Sequence, residues 1–249
     1  PSPGFPIYES FIRYVEGVPV PLHLDESSNF TFTSDQLLEL ITPLTKLIYL
    51  NFPSNPTGGV ASLEQLEAIA TVIRNHCPAE VRVYSDEIYE NILFDGRIHR
   101  SIASLAGMES RTIIASGFSK TYAWTGGRLG HAVFPTEEEA DVFKNLNINY
   151  FSCVPPYNQE AARVALESPL SVPAVRNMVE IFQERRDVVL ESLNRIEGIT
   201  CHKPAGAFYL FPNISGVCKS LGLIDYHQRM DVSDRKQTSP AGLFQMFAL

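Results

Sequence analysis

The sequence predicts an α/β fold, a mainly parallel sheet with helices on both faces, followed by a truncated small α+β domain. Three observations predict it. Short apolar, β-branched runs alternate with helical patterns, as in β-α units. Chemistry-bearing residues collect just after these runs, where open α/β sheets form their ligand crevice. One long amphipathic pattern then separates the last third of the chain from the rest.

Taken in order, Val18 to Leu24 and Lys46 to Asn51 read as strands. After a Pro/Asn/Gly turn at 52–59, Ser62-Leu-Glu-Gln65 supplies a capping box for a helix reaching about Asn75. Val81 to Ser85 is a short strand that delivers Asp86 and Glu87 at its end, and Arg111 to Ser116 is another that delivers Gly117-Phe-Ser-Lys120. Thr136-Glu-Glu-Glu139 opens a helix to about Asn147, and Asn158 to Leu166 continues as helix. Val175, Met178, Val179, Phe182, Val189, Leu190 and Leu193 recur at helical spacing within Val172 to Ile196. Gly206 to Phe211 reads as a strand, and the tail after Gly216 is polar and poorly patterned. The expected division is a large domain over 1–170 and a connecting helix with an incomplete small domain over 171–249. Pro1 in place of Met, and an apolar run from Ser239 that breaks off at Leu249 inside a young helix, suggest a piece of a longer chain.

Composition excludes several classes of function. With 249 residues, 45% of them hydrophobic and 19% charged, the chain is in the range of ordinary soluble globular proteins. A net charge of -8 opposes binding to a nucleic acid through many phosphates. Cys77, Cys153, Cys201 and Cys218 show no C-x-x-C spacing, so neither a zinc site nor a disulfide framework is expected. No stretch approaches the roughly 20 apolar residues of a membrane helix, and no leader opens the chain. A cytoplasmic protein with free thiols is the expectation.

Three segments carry candidate chemistry: Asn51-Phe-Pro-Ser-Asn-Pro-Thr-Gly58, Tyr84-Ser-Asp-Glu-Ile-Tyr89 and Ser116 to Gly130. Alone, Asn55-Pro-Thr-Gly58 is a good turn sequence, and Asp86 with Tyr89 is equally a solvated acid and a core-edge tyrosine. Lys120 is less easily explained as packing. It stands between a strand end and a glycine-bearing loop, with Arg128 eight residues on, and an amine so placed forms Schiff bases. The guanidinium of Arg128, between Gly127 and Gly130, suits an anion, although an exposed loop arginine reads the same way.

In this order and at these separations, N-P-T-G, D-E-x-Y and S-K-x-x-x-x-x-G-x-R-x-G resemble the class I/II aminotransferases over nearly the whole chain. The resemblance implies fold type I and pyridoxal 5'-phosphate as cofactor. It implies that Lys120 forms the internal aldimine and shuttles a proton, and that Asp86 pairs with the pyridine nitrogen. Asn55 and Tyr89 would donate to the phenolic oxygen, Arg128 would hold the phosphate, and Phe5 of Pro3-Gly-Phe-Pro6 would stack on the ring. It further implies a ping-pong exchange between an L-amino acid and a 2-oxo acid, in a homodimer. Relatives often read T-G-W-R where this chain has Thr125-Gly-Gly-Arg128, its only tryptophan being Trp124. Dicarboxylate-specific relatives carry an arginine where Asn149 precedes Pro155-Pro156, which disfavours a strict aspartate enzyme. The phosphate cradle and the carboxylate-gripping arginine of the family lie outside these residues, so weak activity is expected of this chain by itself.

Other motifs fail. Gly126 to Gly130 is not G-x-G-x-x-G, Lys120-Thr121 lacks the Walker glycine, and H-E-x-x-H is absent. G-x-S-x-G and S-x-x-K are each missed by one position around Lys120. Within the same fold, a β-lyase or an aminocyclopropane-carboxylate-synthase-like enzyme would share all the cofactor residues. From another class, a non-catalytic binding module on the same fold remains the alternative.

Overall fold

A computed structural model of the chain describes residues 1–235 and 238–247. Two compact units emerge. The first is Pro1–Gln183 with Pro204–Tyr209, and the second is Glu184–Lys203 with the described residues from Leu210 onward.

In chain order the first unit contains α1 (Ile7–Tyr14), α2 (Ser34–Leu40), β1 (Leu47–Asn51), α3 (Leu63–His76), β2 (Arg82–Asp86), β3 (Thr112–Gly117), α4 (Phe118–Thr121), β4 (Gly130–Val133), α5 (Glu137–Phe151) and α6 (Pro156–Glu167). Helix α7 (Ser171–Asn194) belongs to it as far as Gln183. The second unit holds α8 (Ser215–Ser220), α9 (Leu223–Arg229), α10 (Val232–Arg235) and α11 (Pro240–Phe247).

The sheet order is β1-β2-β3-β4. The first three strands are parallel and β4 runs antiparallel to β3. Register aligns Asn51 with Asp86 and Asp86 with Ala115, so all three lie at the same edge of the sheet.

Alternation along the strands decides the faces. Ile48, Leu50 and Val83 are buried in one cluster with Leu66, Ile69, Ala70 and Ile73 of α3, closed by Val81, Ile102 and Met108. Helix α3 forms here because its apolar positions recur at helical spacing behind a reciprocal cap. The Ser62 hydroxyl accepts from Gln65 N–H at 3.2 Å and the Gln65 side chain accepts from Ser62 N–H at 2.8 Å. Tyr49 and Tyr84 alternate to the opposite face, where Tyr8 of α1 stacks on Tyr49 with ring centroids 4.9 Å apart. Asp86, two residues beyond Tyr84, shares that face.

The structure corrects the sequence reading in three places. Val18 to Leu24 is not a strand; among the described residues its one pairing is a bridge between His23 and Ser2. Pro19 and Pro21 each remove an N–H that a ladder needs. Gly206 to Phe211 is likewise a single bridge, Leu93 to Gly206, because Ala207 at φ 56° turns the backbone out of the extended region. The described residues of the second unit form helices and one bridge, Thr200 to Asn213. The tail that looked unpatterned forms short helices whose Cys218, Leu223 and Leu243 share a small core.

Ile73 is fully buried, whereas Leu63 at the start of the same helix is 41% exposed. We expect Ile73→Ala to cost about 2–5 kcal/mol and Leu63→Ala well under about 1 kcal/mol, read from urea midpoints. Equal losses would contradict the assignment of α3's buried face.

Candidate active site

The C-terminal edge of the sheet gathers residues from all three motifs within the first unit. Asp86 is the last residue of β2, and its carboxylate is held at both oxygens: Ile88 N–H donates to Oδ1 at 3.1 Å, and the Tyr8 hydroxyl donates a short hydrogen bond to Oδ2. Burial pushes the carboxyl above its ordinary value and Glu87 adds to this, while the Tyr8 and Ile88 hydrogen bonds and the charge of Lys120 oppose it. The same carboxylate acts on its neighbours. Burial raises the hydroxyls of Tyr8 and Tyr84, with Asp86 adding to both, and takes Tyr84 to about 12.

Asn55 sits in the turn after β1. Its N–H donates to the Asn51 side-chain carbonyl at 2.8 Å, and the Asn51 amide donates to the Asp86 carbonyl at 3.2 Å, so the turn is tied to the end of β2. Gly58 closes that turn at φ 70°, its N–H bonded to the Ser54 carbonyl at 2.9 Å. A Cβ there would lie 2.4 Å from Pro204, so only glycine fits.

Lys120 occupies the one-turn helix α4 directly after β3. Its amine lies 6.0 Å from the centroid of Tyr89 and 5.7 Å from that of Phe208, and it makes no ion pair among the described residues. Tyr89 is buried, and its hydroxyl meets that of Tyr209 at 2.5 Å. Burial first, then this bond, raise its ionisation well above the ordinary tyrosine value.

The remaining two candidates stand further out. Phe5 is 42% exposed and lies edge-on to Tyr8 at 5.8 Å, so Tyr8 is the ring nearest the Asp86 carboxylate. Arg128 is exposed, in the left-handed region at φ 50°, with one guanidinium nitrogen donating to the Thr125 carbonyl at 2.9 Å.

Glu87, beside Asp86, is buried and fully occupied: Ser85 donates at 2.8 Å, Ser101 at 2.6 Å, and His99 Nε2 lies 2.6 Å away. Burial alone would raise this carboxyl; the contacts from His99, Ser101 and Ser85 outweigh it and hold the group below its usual range.

The displaced tryptophan is explained by packing. A Cβ on Gly127 would lie 2.4 Å from Trp124 Cε2, so the indole fills the space a side chain at 127 would take. The loop is held elsewhere by Asn158, whose amide donates to the Gly127 carbonyl at 2.8 Å, and by Thr125, which donates to the Ser119 carbonyl at 3.0 Å.

The family model for aminotransferase class I and II matches residues 1–233. This chain belongs to that family. It is 38% identical over 223 residues to the putative aminotransferase YugH of Bacillus subtilis, covering 90% of this chain and 55% of that protein. It is also 38% identical to aromatic-amino-acid aminotransferase 2 of Thermococcus litoralis, covering 86% of this chain and 54% of that one. The crystal structure of the aspartate aminotransferase from Rhizobium meliloti superposes with a TM-score of 0.82 at 36% identity, over 87% of this chain and 53% of that chain. The chain thus spans about half the length of the relatives it matches, and the α/β class with its mainly parallel sheet is that of fold type I. No helix among the described residues is long and apolar enough to cross a membrane.

Sequence reasoning missed Tyr8, Phe208, Tyr209 and the His99–Ser101 pair. Tyr8 follows Pro3-Gly-Phe-Pro6 and Tyr209 lies within the run read as a strand, but nothing in their spacing marks the distant partner.

Two outcomes follow. Because Glu87's folded value is depressed, its contribution is complete above the unfolded value of about 4.3 and is lost as pH falls through the folded value. The stability gap between the parent and Glu87→Gln, measured by urea unfolding, should therefore be wider at about pH 6 than at about pH 3; a constant gap would contradict this. Gly127→Ala should expel the indole, shifting the emission of the single tryptophan to longer wavelength. Unchanged emission would refute the packing.

Proposed function

We propose that this chain carries the cofactor-holding part of a pyridoxal 5'-phosphate-dependent aminotransferase, which moves an amino group between an L-amino acid and a 2-oxo acid. The observation that carries it is the convergence, at one sheet edge, of the half-buried Asp86 carboxylate, the Lys120 amine and the buried Tyr89 hydroxyl.

These residues fit the cofactor by the chemistry of their donors. A carboxylate fixed at a strand end pairs with a protonated ring nitrogen, and an amine without an ion-pair partner among the described residues, lodged beside aromatic rings, is suited to attack a carbonyl carbon. When bound, the cofactor supplies an electron sink for negative charge at the substrate's Cα. Asp86 would keep the ring nitrogen protonated, and its two fixed hydrogen bonds limit where that nitrogen sits. Tyr89 and Asn55 would donate to the phenolic oxygen. Lys120, with its amine free, would take the Cα proton and return it two atoms away, across the nitrogen, to the cofactor's carbonyl-derived carbon. Arg128 would meet the phosphate, which requires its guanidinium to leave the Thr125 carbonyl. Phe5 would cover the ring from the side of Tyr8.

The reading includes a ping-pong cycle, a homodimer and a cytoplasmic setting, as the family resemblance implies. The relatives are named for aspartate and for aromatic amino acids. Asn149, where a second arginine would serve a dicarboxylate donor, disfavours a strict aspartate enzyme, and the donor stays open among aromatic, branched, alanine-like and acidic amino acids.

The product of the intact gene should take up pyridoxal phosphate with a visible absorption band, and borohydride should leave a pyridoxyl label on Lys120. In Lys120→Ala the label should be absent and amino transfer to 2-oxoglutarate should fall by about four orders of magnitude or more, the size expected when a covalent and acid-base group is removed. The 249-residue chain assayed beside it should be much weaker. Absence of the band in the intact product would overturn the proposal, and a band without amino transfer would point to a lyase.

A further inference from the structure

Segment Pro204–Tyr209 is remote in sequence from all three motifs yet belongs to the same compact unit. Its backbone is clamped from two sides. Ala205 and Gly206 N–H groups both donate to the Gly58 carbonyl at 3.0 and 3.1 Å, while Ala207 N–H donates to the Ile92 carbonyl at 2.9 Å and the Ala205 carbonyl accepts from Phe94 N–H at 3.0 Å. The segment therefore rests on the N-P-T-G turn and on the chain that follows Tyr89. Ala207 is fully buried at φ 56°, and this bend directs Phe208 and Tyr209 toward Tyr89. Both rings meet Tyr89 edge-on, at 5.3 and 5.7 Å, and the Tyr209 hydroxyl lies 2.5 Å from that of Tyr89.

Each hydroxyl has one proton. If Tyr89 is to donate toward a bound anion, its oxygen must be the acceptor in the tyrosine pair, and Tyr209 must be the donor. A donor on its oxygen also polarises the Tyr89 O–H and makes it the stronger donor.

We propose that Tyr209 is a positioning residue, which donates its hydroxyl proton to Tyr89 and so aims and strengthens the Tyr89 hydroxyl that faces the cofactor's phenolic oxygen. This rests on the reading of the site as a pyridoxal phosphate site. Tyr209 itself touches no reacting atom; it acts through Tyr89.

The test is the pH midpoint of the visible band of the cofactor-loaded intact gene product, measured for the parent, Tyr89→Phe, Tyr209→Phe and the double variant, together with the cofactor dissociation constant of each. Losing a donor to the phenolic oxygen disfavours its anionic form and raises the midpoint. Tyr89→Phe should raise it most. Tyr209→Phe should raise it by about half a pH unit, a threefold change in the proton equilibrium. In the Tyr89→Phe background, adding Tyr209→Phe should change nothing, because the group it acts through is gone.

A merely structural role for Tyr209 would alter melting temperature without moving the midpoint. Should Tyr209→Phe not fold, Tyr209→Leu, which also lacks a donor, is read by the same criterion. An unmoved midpoint in Tyr209→Phe, or a shift that persists undiminished in the Tyr89→Phe background, overturns the proposal while leaving the cofactor reading intact. No visible band in the parent overturns the cofactor reading, and this proposal with it.

Discussion

Parallel pairing of β1, β2 and β3 is the constraint on which the site depends. Because the three strands run the same way in fixed register, their C-terminal ends coincide, and the loops that leave them must start from one edge. Asn51 and Asp86 are register partners, and the Asn51 side chain exploits this by binding both the Asp86 carbonyl and the Asn55 amide. One side chain thus couples two motifs. A slip of one residue in this pairing would carry Asp86 to the face occupied by α3 and its aliphatic cluster.

The two acids at the end of β2 are neighbours with opposite treatment. Asp86 shares the face of Tyr8 and Tyr84, where burial leaves it harder to ionise. Glu87 points among Ser85, Ser101 and His99, which stabilise its charge. The structural acid is fully satisfied, whereas the acid at the site is held by two contacts, one of them a tyrosine hydroxyl, and stays chemically receptive.

Much of this was legible in the sequence, for physical reasons. Strands β1 to β3 and helix α3 were readable because their local patterns agree with their tertiary burial, and the Ser62–Gln65 cap is encoded within four residues. The motif residues at strand ends followed from the same local signals. What escaped was long-range. The segment from Val18 has the apolar alternation of a strand, but its two prolines deny it a ladder. The run from Gly206 looks extended until the positive φ at Ala207, a conformation imposed by packing between Gly58 and Ile92 that no local residue announces. Tyr209 and Tyr8 were missed for the same reason, since their partners lie far along the chain. Trp124 shows the converse, a departure visible in the sequence whose compensation by Gly127 required the packing to be seen.

The clamp of Ala205 to Ala207 between Gly58 and Ile92 also bears on how the site forms. Its hydrogen bonds to Gly58 join residues separated by more than half the chain, so they add strongly to contact order and carry a large loop-closure entropy. The βαβ core can collapse from near-neighbour contacts before this segment returns. The Tyr89–Tyr209 contact therefore requires that the chain through Tyr209 has left the ribosome, long after the strands that carry the motifs. Until then Tyr89, Ile92 and Phe94 lack the cover of Ala207 and Tyr209, with which they pack in the finished unit.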